Sequence, residues 1–209
     1  MSLLSDSWTR AWRALAANPP SPALYMQLTQ QYSEPQRKYH TLQHLAECIA
    51  QLEPALGLCI HPGEVEIALW FHDAIDDLER TDNEMQSALW AVRALASAGL
   101  SADVRERVKK LVLATRHSAL PATDDERLLV DADLAILGAE PARFDDYERQ
   151  IRQEYGAVAF DVFCAKRRAI LTQFLARPQL YSTEFFRSAL ETRARDNIAR
   201  SLSRPAAER

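Results

Sequence analysis

A chain of 209 residues with 47% apolar and 26% charged side chains has the balance of an ordinary folded, water-soluble protein with a full core, which excludes disordered, collagen-like and coiled-coil classes. Lys and Arg number 25 against 29 Asp and Glu, a formal net charge of −4, so nucleic acid is not an expected partner. The five glycines lie too far apart for G-x-G-x-x-G, G-x-S-x-G or the P-loop, which removes three common nucleotide and acyl-transfer chemistries. Cys48, Cys59 and Cys164 match no zinc or disulfide spacing and read as buried thiols in a reducing compartment. Asp6, Arg10 and Arg13 interrupt the N-terminal apolar residues and no 18-residue apolar run occurs, so the expected location is the cytoplasm, with no membrane partner.

The helical period runs through almost every segment, predicting an all-α, single-domain bundle of about nine or ten helices over residues 1–209. Trp8, Trp12 and Leu15 mark the first helix, stopped by Asn18-Pro19-Pro20. Ser21 caps the second, with Pro22 at its first position and Leu24, Leu28 and Tyr32 inward. The third runs from about Thr41 until Pro54 and Gly57, burying Leu42, Leu45, Ile49 and Leu52. Pro62 opens a fourth that is apolar nearly all round, the pattern of a central helix. Thr81-x-x-Glu84 and Thr123-x-x-Glu126 read as capping boxes, with Gly99 and Gly138 closing those helices. Val104, Val108 and Leu111 or Val112 mark a helix between them that ends near His117. Later helices follow from Phe144, from Phe160 and from Glu184 to about Leu202, with a frayed tail over 204–209.

Most histidines in proteins are surface or satisfied core residues, and His61 beside Pro62 fits that description. His40 and His44 are spaced four apart, a spacing that on a helix points both imidazoles to one side. His72-Asp73 ends the very apolar fourth helix, where two polar side chains need compensation by a metal ion or by a partner such as arginine. Asp76 and Asp77 follow, either as groups that handle water beside Asp73 or as a solvated turn. Asp131 and Asp133 stand two apart on an apolar helix, about 200° around it, so only one can reach a given site and the other pairs or caps helices. His117, at a helix end, serves either a site or the helix dipole.

The ordered set Tyr39-His40-x-x-x-His44, Phe71-His72-Asp73, Asn83-Glu84-x-x-Ser87-Ala88, Asp131-x-Asp133-Leu134-x-x-Leu137-Gly138 and Ile151-Arg152-x-Glu154-Tyr155 resembles the HD-domain metal-dependent phosphohydrolases. It is most similar to a small branch of predicted HD-superfamily hydrolases, and its opening is similar to the cyclic-nucleotide phosphodiesterase variant. The resemblance spans about residues 37–155 and extends to Tyr181 and Ala194-Arg195-x-Asn197, so residues 156–202 are expected to pack on that core. It implies an HD-type helical domain in which His44, His72, Asp73 and Asp133 bind one divalent ion, with His117 at the place of a second-ion ligand. His40 matches the proton-donating histidine, and Asp76 or Asp77 the acid that handles the attacking water. Mixed imidazole and carboxylate ligands suit Mn²⁺, Fe²⁺, Co²⁺, Zn²⁺ or Ni²⁺, with Mg²⁺ also admitted. The implied activity is hydrolysis of a small phosphorylated substrate, nucleotide-like in class; the alternative is a regulatory or ligand-binding HD protein without hydrolase activity. Arg37, Lys38, Arg116 and Arg152, all beside these motifs, are the candidate phosphate-binding cations.

Overall fold

The computed structural model describes residues 3–16 and 21–204, which hold ten α-helices, two 3₁₀ segments and no strand. The chain divides into two compact units, Met1–Asp133 and Leu134–Arg209. Among the described residues, no helix is long and apolar enough to cross a membrane.

The first unit contains α1 (Leu3–Ala14), α2 (Pro22–Gln31), α3 (Leu42–Leu52), a 3₁₀ segment (Glu53–Leu58), α4 (Pro62–Phe71), α5 (Asn83–Ser97), α6 (Ala102–Ala114) and α7 (Asp124–Asp133). A helix apolar on every side can satisfy its surface only by being surrounded. Accordingly α4 buries every residue from Gly63 to Phe71 and packs against α1, α3, α5, α6 and α7. Its two internal carboxylates are paired: Glu64 takes both forks of Arg107 at 2.6 and 2.8 Å, and Glu66 takes Arg10 at 2.5 and 3.1 Å. Asp125, from the first turn of α7, secures the start of α4 by accepting from the backbone of Ile60 at 2.7 Å and of His61 at 3.1 Å, with His61 Nδ1 also 3.0 Å away. His61 therefore has the structural place expected of it.

Local signals account for most boundaries. Ser21 accepts from Ala23 N with Pro22 in the first turn, and Thr41 accepts from Gln43 N. The Thr123 and Glu126 box forms reciprocally, each side chain accepting from the other's backbone N–H at 3.2 Å. Gly99 closes α5 at φ +81°, a conformation for which glycine has no steric penalty. The Thr81 box does not form: α5 starts after Asp82, whose carboxylate is engaged by Arg80 and Gln86 instead. Leu15 falls beyond α1, which ends at Ala14, and Pro54 tightens the chain after α3 into the 3₁₀ segment rather than releasing it. The Asn18-Pro19-Pro20 stop and residues 205–209 of the expected tail lie outside the described residues.

The second unit begins with a 3₁₀ segment (Leu134–Gly138) where the sequence predicts continued helix, followed by α8 (Pro141–Glu154), α9 (Phe160–Ala176) and α10 (Glu184–Ser203). Gly138 ends that segment without a positive φ; what requires glycine is close approach, since a Cβ there would lie 2.7 Å from Leu190 Cβ and 3.0 Å from its carbonyl oxygen. The same segment is held by Tyr181, whose hydroxyl donates to Leu134 O at 3.1 Å, and by Asn197, whose amide donates to Leu137 O at 3.0 Å and Ala139 O at 2.9 Å.

Candidate metal centre

Four histidines and three acids of the sequence motifs converge within the first unit. His44 sits on the buried side of α3, His72 caps the C-terminus of α4 with Asp73 next to it, and Asp133 is the last residue of α7. His44 Nε2 and His72 Nε2 face each other at 3.1 Å. Asp73 Oδ2 lies 2.9 Å from His72 Nε2 and 3.3 Å from His44 Nε2, and Asp133 Oδ1 lies 3.5 and 3.3 Å from the same atoms. Donors around one ion at about 2.0–2.2 Å, separated by angles of about 90–110°, stand about 2.9–3.5 Å apart, the range these contacts occupy.

The chemistry of the donors points the same way. Leu69 O can only accept, so the 2.7 Å contact from His72 Nδ1 places a hydrogen there and aims the other nitrogen at the cluster, the orientation that outer hydrogen bonds impose on metal-binding imidazoles. Two inward Nε2 atoms and two carboxylates then need a shared cation, either a proton or a metal ion. Without a metal a proton takes the place: burial works against charge on His72, yet the Asp73 and Asp133 carboxylates raise its pKa well above the ordinary value. Burial likewise opposes ionisation of Asp73 and Asp133, and the neighbouring imidazoles nonetheless hold both well below the usual carboxylate range. His44 and His72 form a wall closed to solvent, whereas the Asp73 side chain is 21% exposed, so the cluster opens on one side.

Cys48 joins the group, since one donor atom from each of His44, Cys48, His72 and Asp133 lies within 4.8 Å of all the others and the set can hold a metal ion. Cys48, buried as its sequence pattern predicts, is not among the expected donors, although it lies one helical turn after His44, a spacing that sets both side chains on one side of α3. Its Sγ is 3.5 Å from His44 Nδ1 and 3.7 Å from Nε2, nearly equidistant, which sets the sulfur beside the ring and off the axis of either lone pair. Burial, then the Asp133 and Asp73 charges, push its thiol pKa well up.

His40 is not on the helical face assumed from its spacing. It stands in the turn before Thr41, the N-cap of α3, yet its ring centroid is 5.8 Å from that of His44 and its Nδ1 is 3.7 Å from Asp76 Oδ2. His117 lies three residues beyond α6 in the left-handed region, φ +54°, and brings Nε2 to 3.0 Å from Asp133 Oδ2, so the two oxygens of Asp133 face different imidazoles. Asp131 is fully buried and stands outside the donor group. Because α4 ends at Phe71, helical spacing does not carry Asp73 on to Asp76 and Asp77. Asp77 is exposed and its carboxylate accepts from Glu79 N at 2.9 Å, the solvated-turn arrangement.

The proposed phosphate-binding cations divide. Arg37, a candidate phosphate-binding cation, is buried, and its guanidinium is engaged by Glu34 and by the backbone carbonyls of His40, Asp73 and Ala74. Arg152 belongs to the second unit, where it donates to Tyr155 O and Val158 O and lies over the rings of Phe160 and Phe163. Lys38 is exposed with Nζ on Pro35 O at 2.6 Å, and Arg116, about one-third exposed, lies 3.5 Å from Glu84. No protein-family model, curated protein or solved structure gives a significant match to this chain.

Proposed function

We propose that this chain is a metal-dependent phosphohydrolase acting on a small phosphoester, nucleotide-like in class as its resemblance to HD-domain phosphohydrolases implies. The observation that carries the reading is the convergence of His44 Nε2, His72 Nε2, Asp73 Oδ2 and Asp133 Oδ1 at ligand-like separations, closed on one side and open at Asp73. Mn²⁺, Fe²⁺, Co²⁺, Zn²⁺, Ni²⁺ and Mg²⁺ are the ions to test. A divalent ion held there supplies two things, acidified water near neutral pH and a positive charge for a phosphoryl oxygen. His40, about one-quarter exposed at the rim with its Nδ1 3.7 Å from Asp76 Oδ2, protonates the leaving oxygen. Asp76, rather than Asp77, then handles the attacking water, and His117 steadies Asp133 through Oδ2 or joins the ligands. Lys38 and Arg116 are the remaining candidates for phosphate oxygens. The free thiols of Cys48, Cys59 and Cys164 suit a reducing, cytoplasmic setting.

The internal commitment of Arg37 favours a second reading, a metal-binding regulatory protein without hydrolase activity, because it removes one phosphate-binding cation from the site. Metal analysis of the purified protein, followed by a panel of phosphomonoesters and phosphodiesters that includes nucleotides, with Mn²⁺, Co²⁺ or Mg²⁺ added, separates the two. Turnover that needs the ion supports the hydrolase; a metal-replete protein inert across the panel supports the regulatory reading.

A further inference from the structure

The C-terminus of α4 carries both His72 and Asp73, and a helix end leaves backbone carbonyls in need of donors. Their accounting is unusual. Leu69 O is taken by His72 Nδ1 and Phe71 O by Ala74 N, while Trp70 O takes the hydroxyl of Tyr32 at 3.3 Å. Asp73 O and Ala74 O both go to Arg37, at 2.6 and 3.1 Å. The Tyr32 hydroxyl also accepts from Asp73 N at 3.3 Å, and the Arg37 guanidinium lies 5.4 Å from the centre of the Tyr32 ring. A third reach of Arg37, 3.2 Å to His40 O, ties in the turn that precedes α3, and Glu34 at 3.0 Å from Nε holds the guanidinium itself.

We propose that Arg37, seated on Tyr32, is a positioning residue for the metal centre: it clamps the His40 turn to the His72-Asp73 turn and thereby sets where the Asp73 carboxylate stands. The proposal rests on the metal reading above. Only a planar fork with five donors can bridge two backbone turns and a carboxylate at once; an ammonium group is a single point and cannot span them. Asp73 is the natural point of action, because its backbone is held at both N and O by this pair and it follows the helix end, where no further α-helical bonds hold it.

The test is cobalt binding by full-length protein, read from the d–d absorption bands and from titrated affinity, in wild type, Arg37→Lys, Tyr32→Phe and Asp73→Asn. Arg107→Lys is the control, since it loosens the same unit at the other end of α4 through Glu64. Arg37→Lys is expected to lose about 10- to 100-fold in affinity, the usual effect of removing an outer-shell partner, and to shift the bands toward those of Asp73→Asn. Tyr32→Phe is expected to move both the same way by less, and Arg107→Lys to leave both unchanged for folded protein. If circular dichroism shows Arg37→Lys unfolded, Tyr32→Phe decides alone. Wild-type bands and affinity in the folded clamp variants, or equal losses in Arg107→Lys, overturn the clamp while leaving the metal centre standing. Absence of d–d bands in the wild type overturns the metal centre and the clamp with it.

Discussion

His40 and His44 show how far two like residues four positions apart can differ. His44 is 2% exposed with its Nε2 among three other donors, and His40 stands at the rim beside Asp76. His44→Ala is therefore expected to lose metal and activity together, whereas His40→Ala keeps the metal and slows phosphoester hydrolysis by about 10²–10⁴, the usual share of general acid–base catalysis. The deficit should shrink for nitrophenyl esters, whose leaving groups need little protonation. Metal content and turnover of both variants on good and poor leaving groups check this, and equal metal loss in the two would remove His40 from the acid role. Cys48 yields a separate expectation at this scale. With the sulfur beside the His44 ring, Cys48→Ser should retain the ion, and the cobalt-loaded wild type should show no sulfur-to-cobalt charge-transfer band; such a band would make Cys48 a ligand. Residue types and spacing made the histidines and acids legible. The orientation of the Cys48 sulfur and the inward turn of Arg37 were not, because each depends on which neighbours surround the side chain.

At the scale of elements, caps and periodicity located the helices well because those signals are local: Ser21, Thr41, Thr123 and Gly99 each act within one turn of the chain. The misplacements have two causes, one local and one tertiary. Thr81 fails as a cap because Asp82 is the residue at the cap position, and α7 gives way at Asp133 to a tighter segment that α10 covers in the second unit. Gly138→Ala tests that packing. The new methyl would press on Leu190 Cβ and its carbonyl, neither of which is the loose end of a side chain, so a loss of about 1–3 kcal/mol is expected in chemical denaturation. An unchanged midpoint would mean that α10 yields at this point.

For the molecule as a whole, the cluster links metal, protons and stability. His72 has a folded pKa raised above its unfolded value of about 6.5, so in metal-free protein its contribution is fully present below that pH and is lost as pH rises through the folded value. Asp73 and Asp133 have folded values lowered below about 3.9; their contribution is present above that pH and is lost as pH falls through the folded values. In chelator, thermal midpoints should accordingly decline as pH rises above about 6.5 and again in acid below about pH 4. Zinc or manganese should reverse the alkaline decline, since the ion takes the deprotonated imidazole, adding about 2.7 kcal/mol at a hundredfold excess over Kd. Thermal scans across pH with chelator and with metal decide it, and a metal-induced gain that shrinks toward alkaline pH, before hydroxide competes, would contradict the cluster as the binding place.

Composition and helical period by themselves determined the all-α class and the burial of α4, since a helix apolar on every side has only one place to go. The order of His and Asp along the chain carried the resemblance that implies the ligand set, and polar groups on apolar helices marked those positions as needing partners. Tertiary structure alone decided their separations, the exposure of Asp77 and the engagement of Arg37, a candidate substrate cation, by backbone carbonyls of the His40 and Asp73 turns. The physical reason is the reach of the forces involved. Periodicity and capping act over a few residues, whereas the contacts of Arg37 with Asp73, and of His44 with His72, join segments 36 and 28 residues apart and exist only once the helices have packed.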